Sequence, residues 1–213
     1  KFDNSQNVSI FYKKEEILNT PVKILTNAPA YKLHASKPNW LTKAQNYIES
    51  KITLENQHIF SSLLGSSNIA SKKSVFEQYD HQVQLNTIIG PGKADSSVLK
   101  LKNDKKAIAV SIDCDSKKCY LNPEIGASLA VAEACRNLVC TGATPIALTD
   151  GLNLGNPEKS DVQYQIIKTV NGIKNACNQL GVPVISGNVS LYNEANDKSI
   201  YPTPIIGALG YIE

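Results

Sequence analysis

The sequence predicts a mixed α/β chain of the α+β type, with a β-β-α-β-α-β-β core over residues 75–213. Three observations predict it. Short apolar runs, Val98–Leu101, Ala107–Ile112 and Pro145–Thr149, read as strands. Two long stretches, one from Pro123 to Cys140 and one from Val162 to Leu180, carry helical spacing. Hydrophobic residues make up 42% of 213 residues, enough to bury a sizeable core.

Taken in order, residues 1–28 hold Val8–Tyr12, a β-type run, and Val22–Leu25. That stretch is too short to close a core and reads as the C-terminal tail of a preceding domain. Residues 29–74 read as a linker with a helical segment: Pro29 and Pro38 break it, and Leu41, Ala44, Tyr47, Ile48 and Ile52 give weak helical spacing. Strands Val98–Leu101 and Ala107–Ile112 are joined across Asn103-Asp104. Pro123 suits a first helical position, and Gly142 the position just past the end. After Pro145–Thr149, the apolar stripe Val162, Ile166, Val170, Ile173, Cys177 and Leu180 predicts a helix closed by Gly181. Val182–Ile185 reads as a short buried strand, and Ile205–Ile212 as the last one. The absence of Met and the Lys at position 1 are expected of an excerpt from a longer polypeptide.

Composition narrows the function. A net charge of +3, evenly spread, with one Trp and no aromatic-plus-basic stripe, gives no basis for nucleic-acid binding. No apolar run reaches the roughly 18 residues of a membrane helix. Five cysteines without a CxxC read as reduced thiols in a cytoplasmic protein, and His34, His58 and His81 lie outside the cysteine region, which argues against zinc.

Four places could carry chemistry. In Gly90-Pro91-Gly92-Lys93-Ala94-Asp95, bare backbone admits a ligand and Asp95 could hold a cation; an ordinary Pro-Gly turn fits as well. Glu133 and Asn137 lie one helical turn apart and offer hard oxygen ligands suited to Mg²⁺; a solvated polar face beside Arg136 is the alternative. Asp150 would end a strand at its carboxyl edge, where ligands gather in open α/β sheets, with Asn156-Pro157 opening the next helix. In Ser186-Gly187-Asn188-Val189-Ser190, Gly187 admits close approach, while Asn188 and Ser190 project to one side if extended; a polar turn is equally compatible. No P-loop, dinucleotide fingerprint or serine elbow is present.

In sequence order, Gln78-Tyr79-Asp80-His81, Gly90-Pro91-Gly92, Val131–Asn137, Leu148–Glu158, Ser186–Glu194 and Tyr201-Pro202-Thr203-Pro204 resemble the synthetase subunit of the phosphoribosylformylglycinamidine synthase family. The resemblance is dense over residues 75–213 and thin before them. It implies the second-half N-terminal domain of a protein whose two halves are each of the aminoimidazole ribonucleotide synthetase type. It also implies that the sheet pairs with its first-half counterpart into a barrel.

The implied reaction is an ATP-dependent ligation. ATP activates the formamide oxygen of formylglycinamide ribonucleotide as an iminophosphate, and glutamine-derived ammonia displaces phosphate. Implied partners are a glutaminase subunit, a small accessory subunit and the first-half domains. By resemblance, Asp150 and Gly187 contact ATP, Asn188 ligates Mg²⁺, and Ser190 contacts the ribonucleotide. Asp95, Glu133 and Asn137 match an auxiliary nucleotide–Mg²⁺ site. The family's catalytic His falls in a stretch that here reads Cys114-Asp115-Ser116-Lys117, so no catalytic residue is expected in this chain. The departures are Lys93–Ser97, where the family has Gly-Asp-Ala-Ala, and Gly151 and Leu154 in place of Cys or Asn and Phe. A non-catalytic dimerisation module, or a small-metabolite kinase of the same superfamily, are the competing readings.

Overall fold

Alternating burial along the strands shows how one sheet face is chosen for the core. The computed structural model describes residues 6–46, 55–102 and 104–213. The chain divides into two units, at Leu33/His34. In the first, β1 (Asn7–Tyr12) and β2 (Glu15–Pro21) form an antiparallel hairpin followed by the helical turn α1 (Val22–Thr26). Ile10, Phe11, Tyr12, Ile17, Ile24 and Leu25 are all exposed there. The hairpin therefore has no core of its own, as its length dictates.

The second unit begins with α2 (Asn39–Gln45), α3 (Asn56–Leu64), α4 (Lys73–Phe76) and β3 (Thr87–Ile89). It continues with β4 (Ser97–Lys100), β5 (Ala107–Asp113), α5 (Ser116–Leu121) and α6 (Pro123–Cys140). Then come β6 (Thr144–Asn153), α7 (Ser160–Leu180), β7 (Val184–Ser190), the short hairpin β8 (Glu194–Ala195) and β9 (Lys198–Ser199), and β10 (Thr203–Ile212). The six-stranded sheet runs β3-β4-β5-β10-β6-β7, all antiparallel except the β6–β7 pair. The expected strand-and-helix order is present. The junction at Asn103 lies outside the described residues, as do Tyr47, Ile48 and Ile52 of the weakly helical segment.

One sheet face is covered by α6 and α7. Ala109, Leu148, Ile206 and Ala208 meet Ala127, Val131, Leu138 and Ile173 in a continuous apolar core. α6 has the expected bounds, with Asn122 capping it by accepting from the Ile125 amide at 3.2 Å. α7 ends on left-handed Gly181, φ 67°.

Three expectations need correction. The buried side of α7 is Val162, Gln165, Thr169, Gly172, Ile173 and Ala176, not the full apolar stripe, and Val170 and Leu180 are exposed. α7 packs on α6 through small residues: a side chain at Gly172 would overlap Glu124 O and press on Ala127 Cβ. Helix proximity thus replaces apolar area as the criterion for the inner face. The strand expected at Val182–Ile185 begins at Val184 and is exposed, and Val182, ahead of it, is the buried residue of the run. β7 is the exposed sheet edge and extends through Ser190, so Ser186–Ser190 is strand and not turn. Finally, part of the linker packs on the domain. Trp40 stacks on Tyr120 (4.0 Å, 8°), Tyr120 on Tyr201 (4.3 Å), and Leu41 is 1% exposed. The Ser36 amide donates to Ser160 O at 3.0 Å, and Gln45 Nε2 to Leu121 O at 3.0 Å.

Candidate functional site

β6 does not stop at Asp150 but continues to Asn153, which places Asp150 inside the strand beside the edge strand β7. In parallel register, Asp150 stands opposite Gly187, Gly151 opposite Asn188 and Asn153 opposite Ser190. Alternation puts Asp150 on the α7 side of the sheet, with Leu148 and Leu152. There it lines a cavity of about 540 Å³ with Val170, Ile173, Lys174, Cys177 and Val184. The apolar stripe read from α7 is thus in part the wall of this cavity. Burial pushes the Asp150 carboxyl above the usual carboxylate range. The Cys177 thiol is raised by burial and by the Asp150 charge.

Gly187 is bare for a steric reason: a Cβ there would fall on Asp150 Oδ1. The glycine leaves the carboxylate open toward the sheet edge. A groove there is lined by Asp150, Leu152, Ser186, Gly187 and Asn188. Asn188 belongs to the opposite face, where its Oδ1 sits over Gly151. The structure therefore sets Asp150 and Asn188 on neighbouring strands but on opposite faces, meeting only at the β7 edge. Asn188 and Ser190 do share a face, as the extended reading requires.

Asn156 accepts from the Glu158 amide at 2.9 Å, yet α7 starts at Ser160, so Asn156-Pro157 shapes a turn and not the helix start. Ser190 is held in a polar knot. Asn193 Nδ2 lies 3.1 Å from Ser190 Oγ, 2.9 Å from Ser190 O and 3.0 Å from Leu154 O. Beside it, Lys159 Nζ pairs with Glu194 Oε1 at 2.6 Å, and this pairing with the Ser199 hydroxyl holds the Glu194 carboxyl below its ordinary range.

Glu133 and Asn137 do share a face of α6, and Asp113 joins them from the end of β5. Asn137 Nδ2 is 3.4 Å from Asp113 Oδ2. The Asp113 carboxyl is raised by burial and then by the Glu133 charge. Sequence reasoning missed Asp113, although the strand-end argument applied to Asp150 would have found it. Asp95 lines a cavity of about 320 Å³ with Gly90, Gly92, Val110 and Ile112. Among the described residues, no group of three His, Cys, Asp or Glu side chains could hold a metal ion. Asp115, in the stretch Cys114–Lys117, caps α5 by accepting from the amides of Lys117 and Lys118 at 3.0 and 3.2 Å. All five cysteines are free, and no described helix is long and apolar enough to cross a membrane.

The uncovered sheet face is apolar. Val110, Ile112, Thr149, Ile185 and Leu209 line a shallow cavity of about 340 Å³, Ile112 is 76% exposed, and Ser186 donates to Thr149 Oγ1 at 2.8 Å.

Solved structures share this arrangement over nearly the whole chain. PurLQS from Thermotoga maritima matches with TM-score 0.72 and 28% identity over 98% of this chain and 32% of that one. Phosphoribosylformylglycinamidine synthase II from the same organism matches with TM-score 0.69 and 28% identity over 97% of this chain and 32% of that one. T. maritima PurL complexed with FGAR matches with TM-score 0.70 and 29% identity over 97% of this chain and 31% of that one. PurL of that organism has also been solved with ATP. The chain spans about a third of the length of these relatives. The family model for AIR synthase related protein, N-terminal domain, matches residues 93–212, more than half of the chain, and the chain belongs to that family.

Proposed function

We propose that this chain is the second-half N-terminal domain of a phosphoribosylformylglycinamidine synthase and supplies half of an ATP- and substrate-binding site. The observation that carries the reading is the match over nearly the entire chain to PurL structures, one of them with FGAR bound. The reaction would join glutamine-derived ammonia to formylglycinamide ribonucleotide, forming formylglycinamidine ribonucleotide, ADP and phosphate, in the cytoplasm.

Asp150 and the bare Gly187 backbone would contact ATP from the β7 edge. Asn188 would give Mg²⁺ one amide oxygen. This fits a cation that uses few protein ligands and completes its shell with phosphate oxygens and water. Ser190 would contact the ribonucleotide. For the auxiliary nucleotide–Mg²⁺ site, the proposal rests on Asp95, Glu133 and Asn137, with Asp113 beside Asn137. The bare apolar face would pair with the first-half sheet into a barrel, and residues 1–28 would complete the preceding domain. The PurLQS assembly supports a glutaminase and a small accessory subunit as partners.

The catalytic base would come from the first half, so this chain alone should show no turnover with ammonia, ATP and formylglycinamide ribonucleotide. Clear turnover by the isolated chain sinks the half-site reading. Calorimetry with ATP and Mg²⁺ on the assembled protein, wild type against Asp150→Ala, separates it from a structural pairing module, for which both would be silent.

A further inference from the structure

Asn193 lies three residues beyond Ser190 and is half-buried in the joint between the ends of β6 and β7. The backbone brings it there. Tyr192 adopts φ 61° and its amide donates to Gly155 O at 3.0 Å, while the Asn193 amide donates to Leu154 O at 3.2 Å. Leu154 is 1% exposed and its own amide donates to Ser190 O at 3.0 Å, so the two strand ends are already tied.

The side-chain amide of Asn193 can sit only one way round. Leu154 O and Ser190 O are carbonyls, which only accept, and they lie 3.0 and 2.9 Å from the same terminal atom of Asn193. That atom must be the NH₂. It is also 3.1 Å from Ser190 Oγ, which leaves Asn193 Oδ1 on the other side at 3.3 Å from the hydroxyl. A hydroxyl has one proton and two lone pairs. The NH₂ has two protons for three acceptors, so one N–H is shared between a carbonyl and a Ser190 lone pair, and the Ser190 proton points to Asn193 Oδ1 or outward. The contact to Oδ1 is the longest of the four and the easiest to exchange.

We propose that Asn193 is a positioning residue that presents the Ser190 hydroxyl as a hydrogen-bond donor to an acceptor oxygen of the ribonucleotide, its phosphate included. This rests on the Ser190 contact proposed above and goes beyond it by assigning the polarity of that contact and the residue that sets it. Asn193→Asp keeps the shape and removes the N–H donors. A carboxylate there accepts the Ser190 proton and turns the hydroxyl away from the substrate.

The test is steady-state kinetics of the assembled synthase carrying Ser190→Ala, Asn193→Asp or both, with formylglycinamide ribonucleotide and ATP varied in turn. Asn193→Asp should raise the KM for the ribonucleotide roughly tenfold, the worth of one hydrogen bond to a charged group. The KM for ATP should stay within about twofold, and in the Ser190→Ala background the Asn193 change should add less than about twofold. An unchanged ribonucleotide KM in Asn193→Asp overturns the proposal. So does an undiminished effect in the Ser190→Ala background, or a parallel loss in both substrates with a lowered melting temperature, which marks a purely structural role. If Ser190→Ala leaves the ribonucleotide KM untouched, the Ser190 contact itself fails; if it raises the KM and Asn193→Asp does not, only the positioning role fails.

Discussion

Gly187 stands against Asp150 across the β6–β7 pair, so close that one added methyl group would take the place of the carboxylate oxygen Oδ1. Gly187→Ala must push Asp150 aside or bow the edge strand outward. Overpacking of this kind costs about 1–3 kcal/mol. The expected outcome is a lowered denaturation midpoint and ATP binding by the assembled protein weakened at least about tenfold, the equivalent of 1.4 kcal/mol, by calorimetry. Unaltered ATP affinity would remove Gly187 from the site.

Asp150 gives a stability signature that opposes its proposed role. Burial raises its pKa in the folded chain. Between the ordinary carboxylate range and that raised value, the native state holds a proton the unfolded chain has released. Stability therefore falls as pH rises through this interval and stays lower above it. Asp150→Asn should melt higher than wild type at pH 7 and level with it in acid below both values, while ATP binding is lost. Equal melting temperatures at pH 7 would show that the carboxylate is not desolvated.

The α6–α7 contact depends on a missing side chain. Gly172→Ala gains up to about 1 kcal/mol of helix propensity. Against this, its methyl group would overlap Glu124 O and sit 3.1 Å from Ala127 Cβ. The steric cost, about 1–3 kcal/mol, should win. We expect net destabilisation, read as a melting temperature lower by a few degrees at about 2–4 °C per kcal/mol for this size. A stabilised variant would mean that the two helices separate freely.

The bare sheet face can be tested without disturbing the core. Ile112 is 76% exposed, so Ile112→Arg should leave the unfolding free energy of this chain within about 0.5 kcal/mol. In the full protein, a buried unpaired charge at the pairing face should abolish synthase activity. Full activity with Ile112→Arg would rule out a barrel closed over this face.

The parts of the fold set by local chemistry were readable from the chain. α6 was bounded by Pro123 and the Gly142 region because capping acts over one turn, and Gly181 closed α7 for the same reason. The parts set by neighbours were not. The inner side of α7 follows Gly172 and Thr169, whose smallness matters only once α6 lies against them. β7 looked buried because Val182–Ile185 is apolar, but only Val182, ahead of the strand, reaches the core. At the candidate site, Asp150, Gly187 and Ser190 are named by motif resemblance. That Asp150 and Asn188 face opposite ways follows from the pairing of Asp150 with Gly187 and not from either segment alone. Asn193 and Asp113 gain their meaning from partners 39 and 24 positions away.

The chain has a single tryptophan, and its indole lies flat on Tyr120, which is itself flat on Tyr201. Intrinsic fluorescence excited at the indole thus comes from one point, the seam where α2 is laid on the domain. An emission change in this protein reports undocking of that segment, and a far-ultraviolet signal dominated by α6 and α7 reports the core. The two optical channels separate peeling from melting without any label.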